Sequence, residues 1–163
     1  SFKDVAETIG REPATCRQLA TRARLHVRSA RPRFAMPKER GLEIASAFSA
    51  ASRSGDMKTL QSMLADDVVI YSDGGGKKRA ALRPLTGLDD VMKLHTALAR
   101  AFAREMSQLL EYGVINGLPG FVTREAGDTL QTTALQIDNG KITAIYVMRN
   151  PDKLGHLARE ALH

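Results

Sequence analysis

The spacing of apolar residues predicts a helical pair at the start of the chain. Apolar positions recur with helical spacing from residue 2 to residue 9 and again from residue 16 to residue 27, with Pro13 suited to the first turn of the second helix. A small residue, a turn glycine and apolar residues at fixed distances from it follow the pattern of a helix-turn-helix. These positions are Ala6, Ile9, Gly10, Cys16 and Leu19. Because Cys16 falls on the apolar face, it is predicted to be a core residue rather than a nucleophile.

The second helix of such a pair would turn its outward face to DNA. Arg17 and Gln18 on that face are residue types that bind base edges, whereas the arginines that follow are better suited to phosphate contacts. An ordinary amphipathic hairpin with a solvated, arginine-rich face is the alternative. The predicted DNA-binding residues are Glu12, Ala14, Arg17, Gln18, Thr21, Arg22, Arg24 and Arg28.

Residues 40–163 are predicted to form an α+β domain in which the helices come first. Helical stripes cover 42–51 and 57–64, and a third helix runs from a cap at 87–90 to Phe102. The run from Asp138 to Lys141 predicts a hairpin turn, and the helices are followed by a curved antiparallel sheet. Strands are predicted at 68–71, 80–82, 109–115, 120–124, 130–137 and 142–148.

The distribution of charge also separates the N-terminal helical pair from the α+β domain. Residues 1–40 contain ten Lys or Arg and four Asp or Glu, so they carry the whole net charge of +6 of the 163 residues. Residues 29–39 contain two prolines and no sustained period, and we predict a linker between a module at 1–28 and the domain at 40–163. A basic module on a neutral domain is expected where the first part meets a polyanion, and a solvated basic tail is the alternative.

Other features limit the possible classes of protein. A single cysteine excludes a disulfide framework and fits a reducing compartment. The sequence also shows no apolar run or leader that would direct the chain to a membrane. We therefore expect a cytoplasmic protein. The histidines lack the spacing of metal ligands, so we expect neither a metal nor another cofactor. Because the helical pattern is already running at Ser1, we expect the chain to be a C-terminal fragment of a longer protein.

Two segments at predicted strand ends combine turn residues with charges. The first is a glycine turn whose backbone can approach another surface closely, and the second ends the last strand and precedes a short helix. Both suit a docking surface, whereas two plain turns are the alternative. The segments are Asp73-Gly74-Gly75-Gly76-Lys77 and Asn150-Pro151-Asp152-Lys153-Leu154.

These residues carry a resemblance to a known family. The helix-turn-helix resembles the second half of region 4 of an extracytoplasmic-function (ECF) sigma factor, and residues 40–150 resemble a SnoaL-like domain of the NTF2-like α+β cone. The two charged turns are similar to signature motifs of group 41 ECF sigma factors, the SigJ-like type, in which such a domain is fused to the sigma core. The resemblance implies that region 4 binds core RNA polymerase and the −35 promoter element. It also implies that the SnoaL-like domain regulates the factor through intramolecular or polymerase contacts, and that sigma region 2 is missing here.

The SnoaL-like fold also includes enzymes such as polyketide cyclases, so fold alone does not exclude catalysis. The residues available for acid–base work are His95 on the third helix and Tyr71, Asp73 and Tyr146 on or near strands. No acid–base pair has a geometry that the sequence fixes, and we predict that the chain is not an enzyme. A cone that binds a small ligand without turnover is a further reading, compatible with regulation.

Overall fold

The computed structural model describes residues 36–104 and 107–160, together with residues 4, 6, 10, 12, 14–16 and 18. The chain divides into two compact units, Ser1–Ala35 and Met36–His163. In the first unit Ala6 and Cys16 are helical and buried, as the apolar pattern predicts. Gly10 takes the left-handed conformation, with φ of 63°. Ile9 and Leu19, the other two positions of the pattern, lie outside the described residues.

The second unit is an α+β fold, as predicted: two helices come first, two strands and a third helix follow, and four consecutive strands and a C-terminal helix complete it. Its elements are α1 (Lys38–Ser54), α2 (Met57–Met63), β1 (Leu64–Asp73), β2 (Leu85–Thr86), α3 (Leu88–Phe102), β3 (Gln108–Ile115), β4 (Leu118–Glu125), β5 (Thr129–Asp138), β6 (Lys141–Met148) and α4 (Pro151–Glu160).

One predicted strand is wrong. Residues 80–82 form a loop, and the short strand in this part of the chain is β2. The alanines at 80 and 81 have little strand preference. Leu85 and Thr86 instead pair with Ile70 and Val69 of β1.

The first two helices end and begin at recognisable caps. Gly55 follows α1 in the left-handed conformation, with φ of 77°, and its N–H donates to the Ala51 carbonyl at 3.1 Å. Asp56 caps α2 by accepting from the Thr59 N–H at 3.1 Å, and this hydrogen bonding lowers the pKa of Asp56. The break between the two stripes at 54–55 is therefore a local property of the sequence.

The sheet has six strands in the order β2-β1-β6-β5-β4-β3. All neighbouring pairs are antiparallel except β1 and β6, which run parallel. The β5–β6 hairpin turns at Asn139 and Gly140, with φ of 50° and 75°, which is the geometry predicted for this turn. The sheet is thus mixed, because β1 and β6, which are distant in sequence, pair in parallel.

The core lies between α1, α2 and α3 and one face of the sheet, here called the helix face. Alternate strand residues point to it, as the twofold period of a strand requires. Its most buried members are Phe48, Leu60, Val68, Val91, Leu135, Ile142 and Ile145.

The opposite face of the sheet, here called the second face, is partly covered by α4. Val122 and Ala134 are next to core-facing Phe121 and Leu135, so they point to this second face, where they are also buried. Leu154 of α4 is only 5% exposed. The C-terminal helix therefore belongs to the packed domain.

Candidate functional site

The two charged turns singled out in the sequence lie together in the structure. β1 and β6 are parallel, with Tyr71 beside Tyr146 and Asp73 beside Met148, so both strands end at the same edge of the sheet. The Arg149 N–H donates to the Asp73 carbonyl at 2.7 Å and extends this pairing. We call residues 73–77 and 150–154 together the strand-end junction.

The first contact of the junction is made by Asp73. One carboxylate oxygen accepts from the Lys153 ammonium at 2.7 Å, and the other accepts from the Gly75 N–H at 2.7 Å. The Lys153 hydrogen bond and then the Gly75 N–H hold the pKa of Asp73 below its usual range. Asp73 is therefore a fixed anionic acceptor and not a group poised to donate a proton.

The second contact runs in the opposite direction. The Lys77 ammonium donates to both carboxylate oxygens of Asp152, at 2.7 and 2.8 Å. Each turn thus supplies one carboxylate and one ammonium to the other. The Lys77 and Asp152 side chains remain 56% and 65% exposed, so solvent and other charges have access to this pair.

The third contact is a close approach of backbone to side chain. Gly75 has φ of 63°, and a Cβ placed on it would lie 2.5 Å from Nδ2 of Asn150. Asn150 is 8% exposed, and its side-chain oxygen accepts from the Asp152 N–H at 3.1 Å at the start of α4. The absence of a side chain at Gly75 is what lets the glycine turn pack on Asn150, the residue just before α4.

The junction joins the end of β1 to the start of α4 through charges that are exposed at the surface. Its groups are carboxylates, ammonium groups, one amide side chain and backbone, with no serine, threonine or cysteine among them. Exposed ion pairs of this kind contribute little to stability. They are suited to recognition by another surface, because a partner's charges can replace them without unburying a core.

His95, the candidate base, is buried. It is 5% exposed, its Nδ1 shares a hydrogen bond with Ser52 Oγ at 2.9 Å, and its ring meets Phe48 edge to face at 5.4 Å. Burial lowers the pKa of His95 to about 4. Its Nε2 has no hydrogen-bond partner among the described residues. This histidine is part of the packing between α1 and α3.

The candidate tyrosines lie elsewhere. Tyr71 and Tyr146 stack at 5.2 Å on the second face of the sheet, and the Tyr146 hydroxyl donates to the Gln136 amide oxygen at 3.1 Å. Burial, followed by the charge of Tyr71, raises the pKa of Tyr146. Asp73 lies at the strand ends and His95 on the helix side. The structure therefore does not bring the four candidates into one acid–base site.

A cavity of about 600 Å³ lies under α4 on the second face of the sheet. None of the acid–base candidates lines it. The residues around it are Gln108, Leu110, Glu111, Val122, Arg124, Leu130 and Leu157.

Of the predicted DNA-binding residues, three are described, and all three are exposed: Glu12, Ala14 and Gln18. The Cys16 N–H donates to the Glu12 carbonyl at 3.1 Å, which places Glu12 at the start of a helical turn. The other predicted positions lie outside the described residues: Arg17, Thr21, Arg22, Arg24 and Arg28.

The described part of the chain contains no group of three or more residues that could hold a metal ion. None of its helices combines the length and the apolar character needed to cross a membrane.

Comparison with known proteins identifies relatives along almost the whole chain. It is 32% identical over 162 residues to the ECF RNA polymerase sigma factor SigJ of Mycobacterium tuberculosis, an alignment that covers 93% of this chain and 51% of SigJ. It is 30% identical to the probable ECF RNA polymerase sigma factor SigI of the same species, over 98% of this chain and 52% of SigI. The chain spans about half the length of these curated relatives. No family model matches the chain.

Solved structures agree with these relatives. The crystal structure of the M. tuberculosis extracytoplasmic function sigma factor SigJ matches with a TM-score of 0.59 and 29% identity, over 94% of this chain and 54% of SigJ. A SnoaL-like protein of unknown function from Burkholderia thailandensis matches with a TM-score of 0.57 and 11% identity, over 69% of this chain and 97% of that one, which shows the fold. The predicted α+β, SnoaL-like fold and the resemblance to ECF sigma factors are confirmed.

Proposed function

We propose that this chain, a homologue of SigJ-type ECF sigma factors, is part of an alternative RNA polymerase sigma factor. Its first 28 residues recognise the −35 promoter element as part of sigma region 4, and residues 29–39 link them to the SnoaL-like domain at 40–163. That domain modulates the factor through contacts with the sigma core, including region 2, or with the polymerase. The partners are core RNA polymerase and promoter DNA, and the protein acts in the cytoplasm without catalysing a reaction.

The strand-end junction is the observation that carries this proposal. The two turns that resemble the family's motifs are far apart in sequence, yet each supplies a carboxylate and an ammonium to the other. Because three of the four charged side chains are more than half exposed, folding alone gives little reason for the two pairs. A surface that other charges must recognise does give such a reason.

The described residues of the first unit support the DNA-binding part. Cys16 is buried, whereas Ala14 and Gln18, in the same helical segment, are exposed. A helix with this division keeps one face for packing and leaves the other for a groove of DNA. Gln18 is exposed on that face, and glutamine is a residue type that binds adenine edges.

The placement of the acid–base candidates supports a regulatory domain over an enzyme. His95 is enclosed by the core, and Tyr71 and Tyr146 lie on the second face of the sheet. General acid–base catalysis needs such groups within hydrogen-bond reach of one substrate. No observation in the described part of the chain favours a second function.

Transcription in vitro by purified core RNA polymerase and the full-length protein tests the proposal. We expect promoter-dependent initiation that Gln18→Ala reduces at the cognate −35 sequence, while Lys93→Ala, an exposed cation of α3, serves as the control. Absence of initiation by the wild-type protein would refute the sigma-factor assignment. Unchanged promoter selectivity in Gln18→Ala would refute the role of this helix.

The regulatory part has its own test in the same assay. Asp152→Ala removes one partner of an exposed pair and is expected to change the level of initiation while leaving the thermal unfolding transition in place. Asp90→Ala, which removes the carboxylate partner of the exposed Lys93 on α3, is the matched control. Equal initiation by the wild-type and Asp152→Ala proteins would refute a regulatory role of the junction.

A further inference from the structure

The loop that leaves the strand-end junction carries a fully exposed leucine between cations. Residues 77–84 connect the junction to β2, and the whole Leu82 side chain is open to solvent. Arg79 and Arg83 flank it and are exposed as well. We call residues 77–84 the leucine loop.

The leucine loop is anchored at both ends. The Lys78 N–H donates to the Gly74 carbonyl at 3.0 Å, and the Arg149 guanidinium donates to the Arg79 carbonyl at 2.8 Å. At the other end, Leu85 pairs with Ile70 of β1. The exposure of Leu82 is therefore a property of an anchored loop and not of a free end.

The loop also carries positive charges that have no ion-pair partner among the described residues. Within the described part of the chain, Lys78, Arg79 and Arg83 form no ion pair. The two nearest carboxylates of the junction, Asp73 and Asp152, already have Lys153 and Lys77 as partners. A complementary surface for this loop must therefore be acidic.

Leu82 differs from the other exposed apolar residues of the domain. Val114 and Tyr112, on edge strand β3, are 51% and 37% exposed, so each keeps much of its surface covered. An apolar side chain surrounded by cations resembles the centre and rim of a protein interface, where a buried anchor is ringed by polar contacts. A phosphate backbone would use the cations but offers no pocket for the leucine.

We propose that the leucine loop docks into an apolar pocket rimmed by carboxylates on a protein partner. Leu82 fills the pocket, and Arg79 and Arg83 pair with the rim. The inference rests on the proposed function, which supplies core RNA polymerase as the partner that carries this pocket.

The experiment measures binding of core RNA polymerase to the full-length protein. Leu82→Ser is expected to weaken binding about tenfold, as loss of an interface anchor does. Arg79→Ala with Arg83→Ala weakens binding and makes it less sensitive to salt. The matched controls are Val114→Ser for an exposed apolar side chain and Arg100→Ala for an exposed cation of α3, and both are expected to bind as the wild type does.

A photo-crosslinking amino acid at position 82 identifies what the loop touches. A crosslink to a polymerase subunit supports the proposal. Overturning results are a crosslink to promoter DNA, a crosslink only within the same chain, the lack of any crosslink, or unchanged affinity in Leu82→Ser. If the wild type initiates transcription and Leu82→Ser binds normally, the docking loop is refuted and the sigma function stands. If the wild type does not initiate, the proposed function itself fails.

Discussion

Replacing Gly75 by alanine tests the packing of the strand-end junction, and Gly76 provides the matched control. Both glycines have positive φ, 63° and 70°, so alanine is strained at either position. A Cβ at Gly75 would overlap the Asn150 side chain, whereas a Cβ at Gly76 would meet no atom within 4 Å. The pair of variants therefore differs in one contact.

The expected loss of stability is the sum of the backbone strain and, at Gly75, the overlap with Asn150. The left-handed conformation costs an alanine about 1 kcal/mol at each position. Asn150 cannot simply rotate away, because its buried side chain accepts the Asp152 N–H and begins α4. Overpacking of this kind adds roughly 1–3 kcal/mol. We expect a loss of roughly 2–4 kcal/mol for Gly75→Ala and about 1 kcal/mol for Gly76→Ala.

Urea unfolding of the whole chain measures the free energy of unfolding of each variant. The single variant Asn150→Ala and the double variant Gly75→Ala with Asn150→Ala complete a double-mutant cycle. Because truncation of Asn150 removes the atoms that overlap the new Cβ, the two substitutions should cost less together than the sum of their separate effects. Equal destabilisation by Gly75→Ala and Gly76→Ala, or additive effects in the double variant, would refute the proposed close contact.

Three further predictions concern the domain. Burial lowers the pKa of His95 to about 4. Between about pH 6.5 and pH 4, His95 is therefore protonated in the unfolded chain and neutral in the folded chain. The contribution of His95 to stability should fall by about 3 kcal/mol from pH 6.5 to pH 4; His95→Gln should flatten this part of the pH profile, and an equal slope in both proteins would contradict the prediction. Lys77→Ala and Asp152→Ala should each change stability by at most about 0.5 kcal/mol in urea unfolding, because the pair is exposed. Leu135→Ala should cost roughly 3–5 kcal/mol, since the side chain is fully buried in a central strand, and a loss below about 1 kcal/mol would be incompatible with that packing.

The local features of the fold could be predicted from the sequence. The break at Gly55 and the Asn139–Gly140 hairpin depend on backbone conformations that a few neighbouring residues determine. The parallel pairing of β1 with β6 has no such local signal, because a dozen or more residues must connect parallel strands and nothing in either strand specifies the partner.

The candidate site was predicted in its parts and not in its arrangement. The turns at 73–77 and 150–154 were singled out for their glycines, proline and charges, but the contact between them follows from the β1–β6 pairing. One signal was present: each turn has one aspartate and one lysine, a composition that allows reciprocal pairing. The sequence pattern does not reveal the leucine loop, because it predicts a strand at 80–82, where the structure has a loop.

Arg149 links the junction to the leucine loop. Its N–H binds the Asp73 carbonyl, and its guanidinium binds the Arg79 carbonyl, so one residue at the end of β6 fixes both surfaces. Its Nε is buried without a hydrogen-bond partner among the described residues. A partner that displaces Lys77 from Asp152 disturbs the first residue of the same loop that presents Leu82. Because the displaced pair is exposed and worth little to stability, such an exchange can alter the loop while the core between α1, α2, α3 and the sheet stays folded.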